Sequence, residues 1–244
     1  MTAPAKKIAL VTGANKGIGL EVTRQLARFG VTVLLGARNP ALGQQAATIL
    51  QAEGLDVHAI ELDLTRPTTI EAAAQTIATD FGHLDILVNN AGIASPQDGL
   101  PTITTIEILQ STMQTNFIGT VAVTQAMLPL LRKASAANIV NVSSGLGSLT
   151  LASDHNWQHA PTKFLAYAAS KAALNMFTVH LAYELRDTAI KVNSAEPGYT
   201  ATDLNGHRGT QTIPEGAAET IRLAFLPQDG PTGGYSATEG PLPW

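Results

Sequence analysis

The sequence predicts a single α/β domain, a doubly wound parallel sheet of about seven strands with helices on both faces. Short apolar runs without polar alternation indicate strands that are buried on both faces. Longer stretches with helical spacing separate these runs, and such alternation is typical of right-handed crossovers in a parallel sheet. No linker or change in composition divides the 244 residues, so we expect one domain over residues 1–244.

The predicted elements alternate along the whole chain. The strands are Ile8–Val11, Val31–Leu35, Val57–Leu62, Leu84–Val88, Asn138–Val142, Ile190–Asn193 and a weaker seventh at Gly234–Ala237. The helices are Gly17–Phe29, Ala41–Glu53, Pro67–Asp80, Thr104–Arg132, Pro161–Arg186 and Ile213–Phe225. Because the carboxyl ends of parallel strands meet at one edge, the residues that follow them are expected to form the ligand crevice.

Composition excludes several classes of function. Lys and Arg total 15 against 19 Asp and Glu, a net charge of −4, so we expect no nucleic-acid partner. The absence of cysteine excludes disulfides, thiolate zinc sites and a cysteine nucleophile. No apolar run approaches the roughly 18 residues of a membrane span, and the first apolar run is too short for a secretory segment. We therefore expect a cytoplasmic protein with no membrane contact.

A glycine-rich turn follows the first predicted strand directly and opens the first predicted helix. Its sequence is Thr12-Gly13-Ala14-Asn15-Lys16-Gly17-Ile18-Gly19. Glycines permit a sharp turn, and the helix N-terminus offers unpaired N–H groups to a pyrophosphate. This context predicts a Rossmann-type dinucleotide site at Gly13, Asn15, Lys16, Gly17, Ile18 and Gly19. The Gly-x-x-x-Gly-x-Gly spacing resembles that of the short-chain dehydrogenase/reductase family.

The end of the second predicted strand indicates which nucleotide binds. An acid at this position normally binds the two ribose hydroxyls of NAD, but the sequence here is Gly36-Ala37-Arg38. Arg38 can pair with a 2′-phosphate through two charge-assisted hydrogen bonds, and Lys16 supplies a second cation. The sequence therefore predicts NADP(H) as the cofactor.

A tyrosine and a lysine lie one turn apart in Tyr167-Ala168-Ala169-Ser170-Lys171, within a strongly helical segment. An isolated phenol has a pKa of about 10, so we expect the Lys171 ammonium to lower the pKa of Tyr167 towards neutrality. Further polar groups follow other predicted strands, at Asn89-Asn90-Ala91-Gly92, Asn141-Val142-Ser143-Ser144-Gly145 and Pro197-Gly198, with Asn116 in the long helix. We expect all of them at one edge of the sheet.

Together these motifs, in this order and over essentially the whole chain, resemble the single-domain branch of the short-chain dehydrogenase/reductase family. The resemblance implies a catalytic tetrad of Asn116, Ser144, Tyr167 and Lys171, with Tyr167 and Lys171 also touching the cofactor. It also places Asp63 and Leu64 at the adenine, Asn90 in the cofactor cleft, and Pro197, Gly198 and Thr200 at the nicotinamide. Because neighbouring strand residues point to opposite sides, only one of Ser143 and Ser144 can face the crevice. The resemblance favours Ser144, with Ser143 as the alternative.

An added segment separates the predicted catalytic serine from the tyrosine. Ser144 and Tyr167 are 23 positions apart, more than in many relatives. The extra residues fall in 147–162 and, with Asn15-Lys16, resemble the carbonyl reductase branch. We expect the segment to cover the substrate site, with Trp157 as an apolar wall. Asp154, His155 and His159 suggest a metal site as an alternative, but solvated loop residues are the favoured interpretation and no metal is predicted.

The resemblance implies an NADPH-dependent reductase of ketones and aldehydes whose partner is a small-molecule carbonyl substrate. The alternatives within the family are a 3-oxoacyl carrier-protein reductase and an oxidative alcohol dehydrogenase. Outside the enzymes, the alternative is an NADP-binding redox sensor, against which the complete tetrad argues. Many relatives also imply a homo-oligomer, although the segment 147–162 leaves a monomer open.

Overall fold

The computed structural model describes residues 6–244, so residues 1–5 of the predicted domain lie outside the described residues. The strands are β1 Ile8–Thr12, β2 Thr32–Ala37, β3 Val57–Glu61, β4 Ile86–Asn89, β5 Ala137–Val142, β6 Ile190–Ala195, β7 Tyr235–Ala237 and β8 Gly240–Pro241. The helices are α1 Gly17–Arg28, α2 Pro40–Ala52, α3 Pro67–Asp80, α4 Ile106–Met113, α5 Thr120–Leu131, α6 Leu149–Ser153, α7 Leu165–Glu184 and α8 Ile213–Ala224.

All strands join one sheet in the order β3-β2-β1-β4-β5-β6-β7-β8. The first seven are parallel, and their ends differ from the predicted ones by at most two residues. Strand β8, which the sequence analysis did not predict, pairs antiparallel with β7 at the edge. Successive strands are added on one side of β1 up to β3 and on the other side from β4 onwards, so the strand order reverses between β1 and β4, where a doubly wound sheet opens a crevice. The predicted Rossmann-type fold is confirmed.

The apolar side chains of the central strands alternate between two cores. On β1, Ala9 and Val11 pack into the core formed with α1, α2 and α8. Ile8 and Leu10 pack into the core formed with α3, α5 and α7. Both faces of the strand are therefore buried, which explains its apolar run without alternation.

The helix predicted over Thr104–Arg132 is present from Ile106 to Leu131, but its middle is not α-helical. Helices α4 and α5 are separated by a π-helical turn at Gln114–Gly119. Within that turn the Asn116 side chain bonds to the backbone of Ile93, and a Cβ on Gly119 would lie 2.6 Å from that of Leu64. The π-helical turn therefore lies where the helix makes close contacts with neighbouring segments, and such turns are frequent at functional sites.

The helix predicted over Pro161–Arg186 begins later, at Leu165, and ends at Glu184. Its N-terminus has no cap from its own N-cap side chain. Instead the buried Asp98, in the loop after β4, accepts hydrogen bonds from the N–H groups of Ala166 (3.1 Å) and Tyr167 (2.9 Å). A carboxylate at a helix N-terminus is favourable both as a hydrogen-bond acceptor and as a charge.

The segment 147–162 contains some regular structure. A 3₁₀ turn at Gly145–Gly147 leads into α6, and the carboxyl-terminal residues pack against both. Ser148 Oγ donates to Pro243 O at 2.8 Å, and Thr150 N donates to Trp244 O at 3.0 Å. Among the helices of residues 6–244, none combines the length and apolar character needed to cross a bilayer.

Replacing Asp98 with Ala is expected to lower the free energy of unfolding by about 2 kcal/mol, because two helix N–H groups lose a charged acceptor. Urea unfolding of Asp98→Ala and of the exposed-site control Asp229→Ala measures this difference. Equal stability of the two variants would show that Asp98 does not hold the start of α7.

Candidate active site

The glycine turn leaves backbone N–H groups free at the start of α1. Gly13 and Gly17 have φ of +62° and +58°, which favours glycine. A Cβ on Gly13 would lie 2.8 Å from Ala91 Cα, so the two backbones approach too closely for a side chain. Lys16, at the N-cap position, supplies no side-chain cap to α1. An uncapped helix N-terminus beside a crowded glycine turn fits a pyrophosphate.

Asn90 shapes this turn from the end of β4. Its Nδ2 donates to Thr12 O at 2.9 Å and to Gly13 O at 3.1 Å. A Cβ on Gly19 would collide with the Asn90 amide and with Gly13 O. Gly19, like Gly13, therefore has no room for a side chain. Asn90 therefore supports the turn from behind. The remaining residues of the predicted cofactor turn, Asn15, Gly17 and Ile18, are half-buried around it.

Two predicted cations lie on the surface near the turn. Ala14 N donates to Gly36 O at 2.9 Å, which places the turn beside the end of β2. Arg38 follows β2 directly, is exposed, and forms no ion pair with any described residue. The Lys16 ammonium pairs with the Asp203 carboxylate at 2.7 Å, across the groove from the turn to the loop after β6.

The residues predicted at the adenine end follow β3. Asp63 Oδ1 accepts from Thr65 N and Thr65 Oγ1, at 2.9 and 2.7 Å. Burial raises the pKa of Asp63, but Thr65 and Arg66 outweigh it, and the net pKa lies below the ordinary value. Leu64 is buried. The side chain of Asp63 thus stabilises its own loop.

Tyr167 and Lys171 lie one turn apart on α7, next to the end of β5. Lys171 Nζ lies 5.6 Å from the centre of the Tyr167 ring and donates to Val142 O at 2.7 Å. Lys171 is only 4% exposed. Burial disfavours the ammonium and lowers the pKa of Lys171 to about 8, against the opposing effect of the Glu196 carboxylate.

The expectation that Lys171 lowers the pKa of Tyr167 is wrong for this structure. Burial raises the pKa of Tyr167 well above its ordinary value, and the negative charge of Glu196 raises it further. The nearby Ser144 hydroxyl lowers the pKa of Tyr167, but by less than burial and Glu196 raise it. Sequence spacing showed the nearby ammonium but not the burial or the carboxyl group. Tyr167 is therefore held as the neutral phenol.

The two serines at the end of β5 have different neighbours on α7. Ser143 is 1% exposed, and its Oγ donates to Asn175 Oδ1 at 2.6 Å, about two helical turns beyond Tyr167. The Ser144 hydroxyl accepts from Leu146 N at 3.3 Å and lies close enough to the Tyr167 hydroxyl to favour its phenolate form. Of the two, Ser144 therefore lies beside the tyrosine.

Asn116 lies in the π-helical turn near the lysine. Its Oδ1 accepts from Ile93 N at 2.8 Å, while its Nδ2 donates to Ile93 O at 2.9 Å and Ser170 Oγ at 3.0 Å. A Cβ on Gly92 would lie 3.6 Å from both Asn116 Oδ1 and Lys171 Nζ. Asn116 therefore joins the loop after β4 to α7 beside Lys171.

The loop after β6 completes this edge of the sheet. Gly198 has a φ of +70°, and Thr200, which is 4% exposed, donates from Oγ1 to Pro197 O at 2.9 Å. Glu196 precedes this turn, half-buried, and the sequence analysis missed it. An acid immediately before Pro197-Gly198 was a visible signal, but nothing in the sequence showed what it faces.

The segment 147–162 lies over the site through aromatic contacts. The Trp157 and His159 rings meet edge-on with centroids 5.2 Å apart, and the rings of His159 and Tyr199 are 6.0 Å apart. An apolar cavity of about 150 Å³ lies between this segment and the start of α7, lined by Leu146, Trp157, Phe164, Leu165 and Ala168. In the described part of the chain, no three His, Asp or Glu side chains cluster as metal ligands would.

The sheet order and the glycine turn define a Rossmann-type protein with a dinucleotide crevice. The sequence profile of the short chain dehydrogenase family matches residues 7–212. The chain therefore belongs to the short-chain dehydrogenase/reductase family, a family of oxidoreductases, as its motifs predict.

Similar proteins include reductases of known activity. Mouse carbonyl reductase [NADPH] 1 is 34% identical over 279 residues, covering 98% of this chain and 99% of the mouse protein. A (+)-neomenthol dehydrogenase of Capsicum annuum is 31% identical, covering 93% of this chain and 94% of the plant protein. The NADPH-bound carbonyl reductase from chicken fatty liver superimposes with a TM-score of 0.85 at 29% identity, covering 98% and 99% of the two chains.

The buried ammonium of Lys171 is expected to titrate near pH 8, because burial favours its neutral form. NMR of protein labelled with ¹³C at the lysine ε carbon measures this titration, and the signal missing from Lys171→Met assigns it. A midpoint above pH 10 would contradict the burial of the charge described here.

Proposed function

We propose that this protein is an NADP(H)-dependent reductase that converts ketones and aldehydes to alcohols, with Tyr167 as the proton donor. The observation that supports it most is the meeting of three groups at the crevice: the neighbouring hydroxyls of Tyr167 and Ser144, and the buried ammonium of Lys171. A site that only bound a nucleotide would need none of the three.

The relatives support the same reaction class. The name of mouse carbonyl reductase [NADPH] 1 describes the reduction of a carbonyl group. The name of the neomenthol dehydrogenase describes the reverse direction, the oxidation of an alcohol. One tyrosine serves both directions, as acid for the carbonyl and as conjugate base for the alcohol. We propose that the net reaction is reduction of the carbonyl group. The cytoplasmic location and the homo-oligomeric state of the protein stay predictions.

Cofactor binding is assigned to the glycine turn and its neighbours. The N–H groups at the start of α1, shaped by Gly13, Gly17 and Gly19, would hold the pyrophosphate, with Asn15 and Ile18 lining the turn. Arg38 and Lys16 would bind the 2′-phosphate. The other proposed contacts are Asp63, Leu64, Asn90, Tyr167, Lys171, Pro197, Gly198 and Thr200. When bound, NADPH supplies a hydride for the carbonyl carbon.

The chain's own residues handle the oxygen and the proton. The hydroxyls of Ser144 and Tyr167 hold the carbonyl oxygen, and their hydrogen bonds strengthen as negative charge develops there. Tyr167 then donates its proton to that oxygen, so that hydride and proton together convert C=O to CH–OH. The Lys171 ammonium stabilises the phenolate that remains. Asn116 holds the loop at Ile93 against helix α7, next to Lys171, through its hydrogen bonds to Ile93 and Ser170.

Initial rates with NADPH and with NADH test this function, on a panel of aryl ketones, keto esters, aldehydes and monoterpene ketones. We expect turnover that favours NADPH. Faster turnover with NADH would contradict the cofactor proposal alone. Tight NADPH binding without turnover of any substrate would instead favour a redox sensor.

The serine pair provides a matched test of the site. Ser144→Ala is expected to lower kcat/KM by about 10²- to 10³-fold, because it removes a hydrogen bond to the developing oxyanion. Ser143→Ala is expected to retain activity and to lose about 1 kcal/mol of stability with its bond to Asn175. Steady-state kinetics and urea unfolding of both variants measure these effects. A large loss of kcat/KM in Ser143→Ala with little loss in Ser144→Ala would show that Ser143 is the catalytic serine.

Arg38 and Lys16 are expected to make the enzyme prefer NADPH over NADH. Arg38→Ala is expected to raise the KM for NADPH about 10- to 100-fold and to leave that for NADH nearly unchanged, because a charge-assisted pair is lost. We expect a smaller effect for Lys16→Ala, since Asp203 already pairs with that ammonium. The exposed Arg132→Ala is the control. Equal losses with both nucleotides would contradict recognition of the 2′-phosphate.

A further inference from the structure

The loop after β6 folds back across the candidate cofactor groove. At its base, Ala201 N donates to Gln211 O at 2.9 Å, which closes the loop on itself. At its tip, Thr202 lies over the glycine turn, where a Cβ added to Gly17 would lie 3.7 Å from Thr202 Cγ2. The tip of this loop therefore lies against the start of α1, where the pyrophosphate is proposed to bind.

An ion pair joins the tip of the loop to the glycine turn. Lys16 Nζ donates to Asp203 Oδ2 at 2.7 Å. Asp203 has a second partner within its own loop, since His207 Nε2 lies 2.8 Å from Asp203 Oδ1. Lys16, and to a smaller extent His207, lower the pKa of Asp203, so this side chain is a carboxylate at neutral pH. One of the two proposed 2′-phosphate contacts thus already has an anionic partner in the chain.

A 2′-phosphate and Asp203 are rivals for the same ammonium. A phosphate monoester carries about 1.5 to 2 negative charges at pH 7, against one on a carboxylate. Two anions at one ammonium repel each other, so the phosphate gains Lys16 as Asp203 leaves it.

The exchange of partners at Lys16 costs little free energy. The side chains of Lys16 and Asp203 are 64% and 53% exposed, and exposed ion pairs are weak. A displaced Asp203 keeps His207 as a partner in its own loop. Arg38, the other proposed contact, has no ion pair to lose within residues 6–244, so the competition concerns Lys16 alone.

We propose that Asp203 is a determinant of cofactor selectivity, whose carboxylate competes with the 2′-phosphate of NADP(H) for the Lys16 ammonium and so limits the preference for NADP(H) over NAD(H). This inference rests on the proposed function. NAD(H) has an uncharged hydroxyl in place of the phosphate and does not compete for Lys16. Asp203 thus acts at the adenosine end of the cofactor, although it lies in the same loop as the proposed nicotinamide contacts Gly198 and Thr200.

The test is a double-mutant cycle on Lys16 and Asp203, measured as the Kd of NADPH and of NADH for the full-length protein at low ionic strength. Asp203→Asn keeps the shape of the side chain and removes its charge. It is expected to lower the Kd of NADPH about two- to fivefold, as the loss of an exposed ion pair allows, and to leave that of NADH nearly unchanged. In the Lys16→Ala background the same replacement is expected to change neither Kd.

Asp229→Asn is the matched control, because it removes one exposed carboxylate from the loop before β7. It is expected to leave both Kd values unchanged. Weaker NADPH binding by Asp203→Asn would overturn the proposal, since Asp203 would then hold Lys16 in place for the phosphate. Equal tightening of both nucleotides, or tightening that persists without Lys16, would overturn it as well. A wild type that binds neither nucleotide would contradict the proposed function itself, and this inference with it, before any variant is made.

Discussion

The burial of one ammonium group constrains the rest of the site. Lys171 is 4% exposed, and removing an ammonium from water costs several kcal/mol unless partners compensate. The compensation comes from the hydrogen bond that Nζ donates to the carbonyl of Val142, at 2.7 Å. Helix α7 and the end of β5 must therefore keep a fixed geometry, since a displacement of either would leave the buried ammonium without its partner.

Polar contacts between β5 and α7 meet this requirement. Asn141 Nδ2 donates to Thr178 Oγ1 at 2.8 Å, and Ser143 Oγ donates to Asn175 Oδ1 at 2.6 Å. Each such bond contributes only about 1 kcal/mol, but a broken one leaves a buried polar group unsatisfied, at greater cost. The pairs therefore specify the register of the helix more than they add stability. Asp98 fixes the start of the same helix through its N–H groups.

Local patterns predicted what depends on neighbouring residues in the chain. The apolar runs located the parallel strands, and the turn from Gly13 to Gly19 located the start of α1. Features that depend on contacts between residues far apart in the sequence could not be predicted from local patterns. The π-helical turn contains Asn116, which bonds to Ile93, 23 positions away, and the contact of Glu196 with Tyr235 spans 39 positions. The pKa of Tyr167 was mispredicted for the same reason, since burial and a carboxyl group far away in the sequence both raise it.

The most direct test of this account is the replacement of Tyr167 by Phe, which removes the proposed proton donor and keeps the ring. Turnover with NADPH and the Kd of NADPH are measured on the same folded protein. The account predicts that kcat falls by about 10²- to 10⁴-fold, the range of general acid catalysis, while NADPH binding is nearly retained. Turnover close to that of the wild type would contradict it, because the proton would then come from another group.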